Sequence, residues 1–177
     1  MKQNKKGVSE VVTTVLIVML TVAAIGVIAG FVVPFVKNSL QKSTECTDYK
    51  GFYTFDETLE SSFFKSNCYA GSNYTFSIKA GSDNNTAVNV AGIKFIFTRP
   101  DGTTNSTEVR NGSPSGTGGI RMYKDGATLT LPGASGIKSY NYTAAEGDTF
   151  ESAEVYPILK SGRICADVKE SIKTKSC

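Results

Sequence analysis

Residues 11–36 form an unbroken run of 26 amino acids without a charge, VVTTVLIVMLTVAAIGVIAGFVVPFV. No other feature restricts the fold of this chain so strongly. As an α-helix the run is roughly 39 Å long, more than the ~30 Å hydrocarbon core of a bilayer. It is apolar on every side and has no face suited to water. Its only hydroxyls belong to Thr13, Thr14 and Thr21, and a helical threonine can return its hydroxyl to a carbonyl one turn earlier. The run exceeds the roughly 7–15 apolar residues of a secretory signal peptide, which argues for a retained membrane segment. Lys2, Lys5 and Lys6 precede it, and Lys37 and Lys42 follow. The lysine-rich amino end is expected to stay cytoplasmic, placing everything after the run outside.

Two details within the run bear on packing. Gly26 and Gly30 are four residues apart with Ala29 between them, a small-residue spacing that lets two helices approach closely. Pro34 lacks an N–H and crowds the carbonyl of Gly30, so a kink or local unwinding is expected there. The helix then resumes with amphipathic character, giving one helix of two parts over about residues 9–45.

The composition excludes several function classes. Histidine and tryptophan are absent, which removes Ser-His and His-metal chemistry. From residue 43 onward, 14 Lys/Arg face 15 Asp/Glu, too balanced for a nucleic-acid surface. Carboxylate neighbours such as Asp56-Glu57 lie among polar residues, as solvated charge does, and Gly116–Gly119 lacks the lysine and helix of a phosphate loop. The expectation is a non-enzyme without cofactor or metal. All four cysteines, Cys46, Cys68, Cys165 and Cys177, follow the apolar run, which suggests an oxidising compartment and two disulfides. Four cysteines allow three pairings; sequence proximity favours Cys46–Cys68 with Cys165–Cys177, the latter pinning a polar tail, residues 169–177, that otherwise should fray.

Residues 46–177 suffice for an independent core and carry β signals. Residues 73–79, NYTFSIK, alternate Tyr74, Phe76 and Ile78; residues 88–98 alternate Ile93, Phe95 and Phe97. Further strands are expected at 119–123, 127–131, 136–143, 153–159 and 163–168, with a hairpin at Asp125-Gly126. Residues 111–119, NGSPSGTGG, read as an uncompacted loop. About seven short strands with frequent turns predict a β-sandwich of immunoglobulin-like type. The fold class is α+β: a long apolar N-terminal helix followed by an all-β sandwich. Five Asn-x-Ser/Thr sequons begin at Asn73, Asn84, Asn105, Asn111 and Asn141, and an outside location makes N-glycosylation feasible. Asn84, Asn105 and Asn111 lie in loop-like sequence; Asn73 and Asn141 begin or enter strands.

At the mouth of the run, Lys5-Lys6-Gly7 is followed by Val8-Ser9-Glu10-Val11-Val12. With the long apolar helix behind it, this pattern over residues 5–36 resembles the class III signal of archaeal type IV pilins. The resemblance implies that a separate membrane peptidase, an aspartate enzyme, cuts between Gly7 and Val8 on the cytoplasmic side. The helix is then kept as a filament core. Archaeal flagellins share the signal class, but the Gly-Ile-Gly-Thr-like opening of their helix is absent, which favours a pilin. The implied organisation is a leader at 1–7, a membrane and filament helix at 8–45, and an extracellular domain at 46–177. The implied partners are further copies of the chain, the prepilin peptidase, and the membrane before assembly. Adhesion is the expected role. Glu10 departs from the family pattern: many archaeal pilins have proline here, and bacterial pilins carry their glutamate further in. A carboxylate in the first turn meets unsatisfied N–H groups and the helix dipole, worth about 0.3–1 kcal/mol. It can cap its own helix or meet the new Val8 ammonium of its own or a neighbouring chain. The rivals to a filament subunit are a monomeric membrane-anchored binding domain and a minor pilin or adhesin on the same stalk.

Overall fold

A computed structural model describes residues 5–58, 65–124 and 126–177, with the backbone alone described for residues 5–10 and 41–43. The chain divides into two compact units, Met1–Glu45 and Cys46–Cys177.

The first unit is helical from Lys5 to Glu45, as α1 (Lys5–Val27), a π-helical turn (Ile28–Val32) and α2 (Val33–Glu45). The irregularity expected at Pro34 is this π turn, just upstream of the proline. The Val33 amide donates to the Ile28 carbonyl, five residues back. Pro34 supplies no N–H and its ring presses toward the Gly30 carbonyl; widening the preceding turn relieves that crowding without ending the helix. One extra residue per turn also rotates everything beyond it by roughly 100° about the axis, relative to an unbroken α-helix.

The second unit contains β1 (Tyr53–Phe55), β2 (Cys68–Ala70), β3 (Asn73–Ala80), a short α3 (Asn84–Asn89), β4 (Val90–Thr98), β5 (Thr104–Arg110), β6 (Ile120–Met122), β7 (Ile137–Thr143), β8 (Ser152–Leu159), β9 (Glu170–Lys173) and β10 (Lys175–Ser176). One sheet runs β10-β2-β3-β7-β6, with β1 also on β3; the other runs β5-β4-β8-β9. β7 pairs along β3 from Asn73 to Lys79, so β2 and β1 share its other edge end to end, opposite residues 73–75 and 78–80 respectively. The sheets face each other across aromatic rings. Phe76 of β3 meets Phe95 and Phe97 of β4 at 6.2 and 5.6 Å, and Phe97 stacks on Tyr142 of β7 at 4.1 Å. The α+β class with an N-terminal helix and a β-sandwich is therefore what the chain adopts, with ten strands among the described residues rather than about seven.

The alternation in the sequence is the alternation in the core: Tyr74, Phe76, Ile78, Ile93, Phe95 and Phe97 are all buried. β8 is covered on both faces, since Tyr156 and Ile158 are buried as well as Ala153, Val155 and Leu159. Gly92 sits at a bulge where β4 shifts register against β8. A Cβ there would lie 2.8 Å from the Val109 carbonyl oxygen, so glycine is what lets β5 come close.

Several expectations are corrected. The disulfides are Cys46–Cys165 and Cys68–Cys177, not the two local pairs. Strand order decides this: β10 runs parallel beside β2, and the Cys177 amide donates to the Tyr69 carbonyl, so the last residue lies against Cys68. The polar tail expected to be pinned by a Cys165–Cys177 bond is held instead as β9 and β10 and by the Cys68–Cys177 bond. Residues 163–168 form a single bridge at Ile164 and a 3₁₀ turn (Ala166–Val168) rather than a strand, directly after the bonded Cys165. Residues 127–131 are likewise not a strand; they pair through one bridge, Pro114 with Thr128. The same contact orders the supposedly uncompacted loop, where Gly112 donates to Leu129 and Leu129 donates back to Ser113. The Asp125-Gly126 hairpin involves Asp125, which lies outside the described residues.

Candidate functional site: the apolar helix

The segment able to cross a membrane is Val11–Leu40, 30 residues with mean hydropathy 2.8 in its most apolar window, none of which is buried within the chain. Seventeen large apolar side chains between Val11 and Val36 are each at least 44% exposed, Phe31 reaching 76%. Covering a Val, Leu, Ile or Phe side chain is worth about 1.5–3 kcal/mol, so together they represent tens of kcal/mol. That exceeds the roughly 5–15 kcal/mol that holds a domain folded. An apolar surface of this extent has to be covered by lipid or by other protein.

The polar atoms of the segment are dealt with internally. The Thr14 hydroxyl donates to the Val11 carbonyl and the Thr21 hydroxyl to the Val18 carbonyl, both at 2.8 Å. These bonds make the two hydroxyls compatible with a hydrocarbon setting, where an unpaired polar group is costly. At Gly26 and Gly30 a Cβ would meet no atom within 4 Å. Glycine in a helix costs about 1 kcal/mol relative to alanine, and nothing within the helix itself requires it at either position. The π turn between Gly26 and Pro34 is the feature that sequence reasoning located only approximately; the Gly30/Pro34 spacing was its signal.

Lys5, Lys6, Gly7, Val8 and Glu10 all belong to the backbone of α1, and their side chains lie outside the described residues. The sequons are scattered over the second unit. Asn105 is corrected from a loop to β5, where it is half-buried and its Nδ2 donates to the Tyr142 hydroxyl at 2.8 Å. Asn73 and Asn141 stand in β3 and β7, their Oδ1 atoms accepting from Thr143 and Thr75. Asn111 follows β5 in a turn and its Oδ1 accepts from the Leu131 amide at 2.7 Å. Asn84 is the exposed first residue of α3.

Some charged groups of the sandwich are paired, and Asp56, expected as solvated charge, is instead buried with its Oδ1 accepting from the Thr58 amide and hydroxyl. Arg99 makes two bonds to Asp148, 3.1 and 2.8 Å, and lies 5.3 Å from the Phe150 ring centre. Those bonds hold the Asp148 carboxyl below its ordinary range and raise Arg99. Burial opposes ionisation of Glu154, but hydrogen bonds from Lys169 and Tyr156 together outweigh it and leave its carboxyl low. Among the described residues, no group of three or more His, Cys, Asp or Glu is placed to hold a metal ion. Among the described residues there are two open concavities, one lined by Ser115, Gly116, Gly119, Arg121 and Thr143, the other, more polar, by Asp48, Tyr49, Asp83, Asn85, Thr86 and Asn89.

No protein-family model matches the chain, and no curated protein sequence matches it. What the structure defines is a class: a two-unit α+β protein in which one exposed apolar helix is followed by a disulfide-bonded β-sandwich. Such a helix can anchor in a membrane, and two disulfides suggest an oxidising, extracellular setting for the sandwich.

Proposed function

We propose that the chain is the structural subunit of an archaeal type IV pilus-like surface filament, serving adhesion. The observation that carries this is the wholly exposed apolar helix, which needs a protein or lipid environment along its length. Lys5-Lys6-Gly7 ahead of Val8 supplies the class III cutting signal. Cleavage between Gly7 and Val8 by a prepilin peptidase removes Lys2, Lys5 and Lys6 and leaves 16 basic against 16 acidic side chains. Loss of the charges that tie the amino end to the cytoplasmic face makes extraction from the bilayer less costly. Helices then pack against one another instead of against lipid, with Gly26 and Gly30 offering close approach. Glu10 meets the new Val8 ammonium, on its own chain or the next. The protein sits in the cytoplasmic membrane before assembly and at the cell surface after it.

Intact mass and amino-terminal sequencing of the native protein test the proposal. A chain beginning at Val8 is expected; one that retains residues 1–7 overturns it. Glu10→Ala should leave cleavage in place and lower fibre yield; normal fibres would reduce Glu10 to a helix cap. The same helix also fits a monomeric anchored domain, which predicts an uncut segment and no fibres by electron microscopy. A minor pilin or adhesin would be cut but would appear in filaments as a small fraction of their mass.

A further inference from the structure

The five sequons are identical in type and very different in circumstance. N-glycosylation joins the anomeric carbon of a sugar to the amide nitrogen of asparagine and leaves the side-chain carbonyl as an acceptor. A site compatible with the folded sandwich therefore needs an exposed side chain whose Nδ2 is uncommitted and whose amide is not held in one orientation by bonds to its carbonyl. It also needs surroundings that a branched polar chain can leave without displacing a strand. Asn105 fails, because its Nδ2 bonds the Tyr142 hydroxyl and the residue is half-buried in β5. Asn141 fails because it is half-buried in β7, a strand paired on both sides, and its amide is held against Thr75. Asn73 is exposed, but it sits between β2 and β7 and is fixed to Thr143. Asn111 is fixed by the Leu131 amide in the turn that orders residues 111–119, and its sequon runs directly into Pro114.

Asn84 is different. It is exposed, and its side chain makes no hydrogen bond to any described residue. It belongs to no sheet. The first turn of α3 is capped by its neighbour Asp83, whose carboxylate accepts from the amides of Asn85 and Thr86, so the helix does not depend on Asn84. In the folded domain the Thr86 hydroxyl is committed to Asp83. The Asn84-Asn85-Thr86 sequon is thus presented to an enzyme while α3 is open, and a six-residue helix is a small element to open.

We propose that Asn84 is a site of N-glycosylation and that the other four sequons remain unmodified. The donor class is an oligosaccharide bonded through its anomeric carbon to the phosphate of a membrane lipid carrier, transferred by a separate membrane enzyme. The Asn84 Nδ2–carbon bond forms as the carbon–oxygen bond to phosphate breaks. The lipid phosphate leaves with the electron pair, and one amide proton passes to a base of the transferase. This rests on export of the sandwich to the outer side of the membrane and not on filament assembly, so it stands or falls separately from the pilin proposal.

The test is a glycopeptide map of the native full-length protein. Each sequon falls in its own tryptic peptide, that of Asn84 being AGSDNNTAVNVAGIK. The expected result is carbohydrate on this peptide and none on the other four. An unmodified Asn84 peptide overturns the proposal, whether or not another sequon carries sugar. In the native host, Asn84→Gln should bring the intact mass down to that of the bare polypeptide while leaving the melting temperature of the sandwich within about a degree of the deglycosylated parent. Retention of the full carbohydrate mass by that variant would also overturn it.

Discussion

The two disulfides interlace, and their removal is a quantitative test of the strand order. Cys46 bonds Cys165 and Cys68 bonds Cys177, with sequence separations of 119 and 109. Taken alone, each would close a long loop, worth roughly 4.9 and 4.8 kcal/mol in the chain-entropy treatment. They are not independent, because the second bond closes a shorter circuit once the first is made. That circuit runs 22 residues from Cys46 to Cys68 and 12 from Cys165 to Cys177, and a loop of about 34 residues is worth roughly 3.8 kcal/mol. Removing either bond from the oxidised domain should thus cost about the same, roughly 3.8 kcal/mol, and removing both should cost roughly 8.7 kcal/mol. The assay is urea unfolding of a soluble fragment, residues 37–177, with paired Cys→Ala substitutions; alanine avoids burying a hydroxyl without a partner. At about 4 °C per kcal/mol for a domain of this size, each single removal should lower Tm by roughly 15 °C. Equal single effects and a double effect larger than their sum are the signature of interlaced bonds. Local pairing of Cys46 with Cys68 and Cys165 with Cys177 would instead give additive losses of roughly 3.4 and 2.8 kcal/mol. Strictly additive single and double variants would refute the circuit.

Three other outcomes follow from the packing and the charges. Gly92→Ala drives a Cβ to 2.8 Å from the Val109 carbonyl oxygen, a backbone clash that should cost about 1–3 kcal/mol in urea unfolding; no loss of stability would mean that β5 can retreat freely. Phe97→Ala empties the centre of the aromatic stack between the sheets and should cost about 3–5 kcal/mol, seen as a lower urea midpoint with an unchanged slope. The carboxyls of Asp83, Asp101, Asp148 and Glu154 all titrate below their ordinary values in the folded chain. Their contribution is complete above the unfolded values of about 4 and is lost as pH falls through the folded ones. A melting temperature flat from pH 7 to 5 and falling below about pH 4 is expected, with a shallower acid fall in Asp148→Asn.

What the sequence disclosed follows from how each element signals itself. The apolar helix needed only hydropathy, and β3 and β4 needed only alternation of large side chains facing one layer. β5 escaped because its sequence, TNSTEVR, buries only Thr107 and Val109 at a sheet edge. β9 and β10 escaped because ESIK and KS are polar edge strands without fully buried side chains. Such strands are specified by their partners rather than by their own composition. The cysteine pairing failed for a related reason: proximity along the chain says nothing about which ends of a sandwich meet. Of the candidate helix site, the span, the glycine pair and the proline were legible. The π turn was not, since choosing between a kink and a widened turn depends on how one carbonyl relaxes.

The interlaced bonds also settle how the second unit responds to being cut. A break between Cys46 and Cys68 leaves the early piece held through Cys165, and one between Cys165 and Cys177 leaves the late piece held through Cys68. A break anywhere between Cys68 and Cys165 leaves both bonds joining the two halves. While oxidised, no single proteolytic nick between the first and last cysteine can shed a fragment, whereas two local bonds would have left the long middle of the domain severable at a stroke.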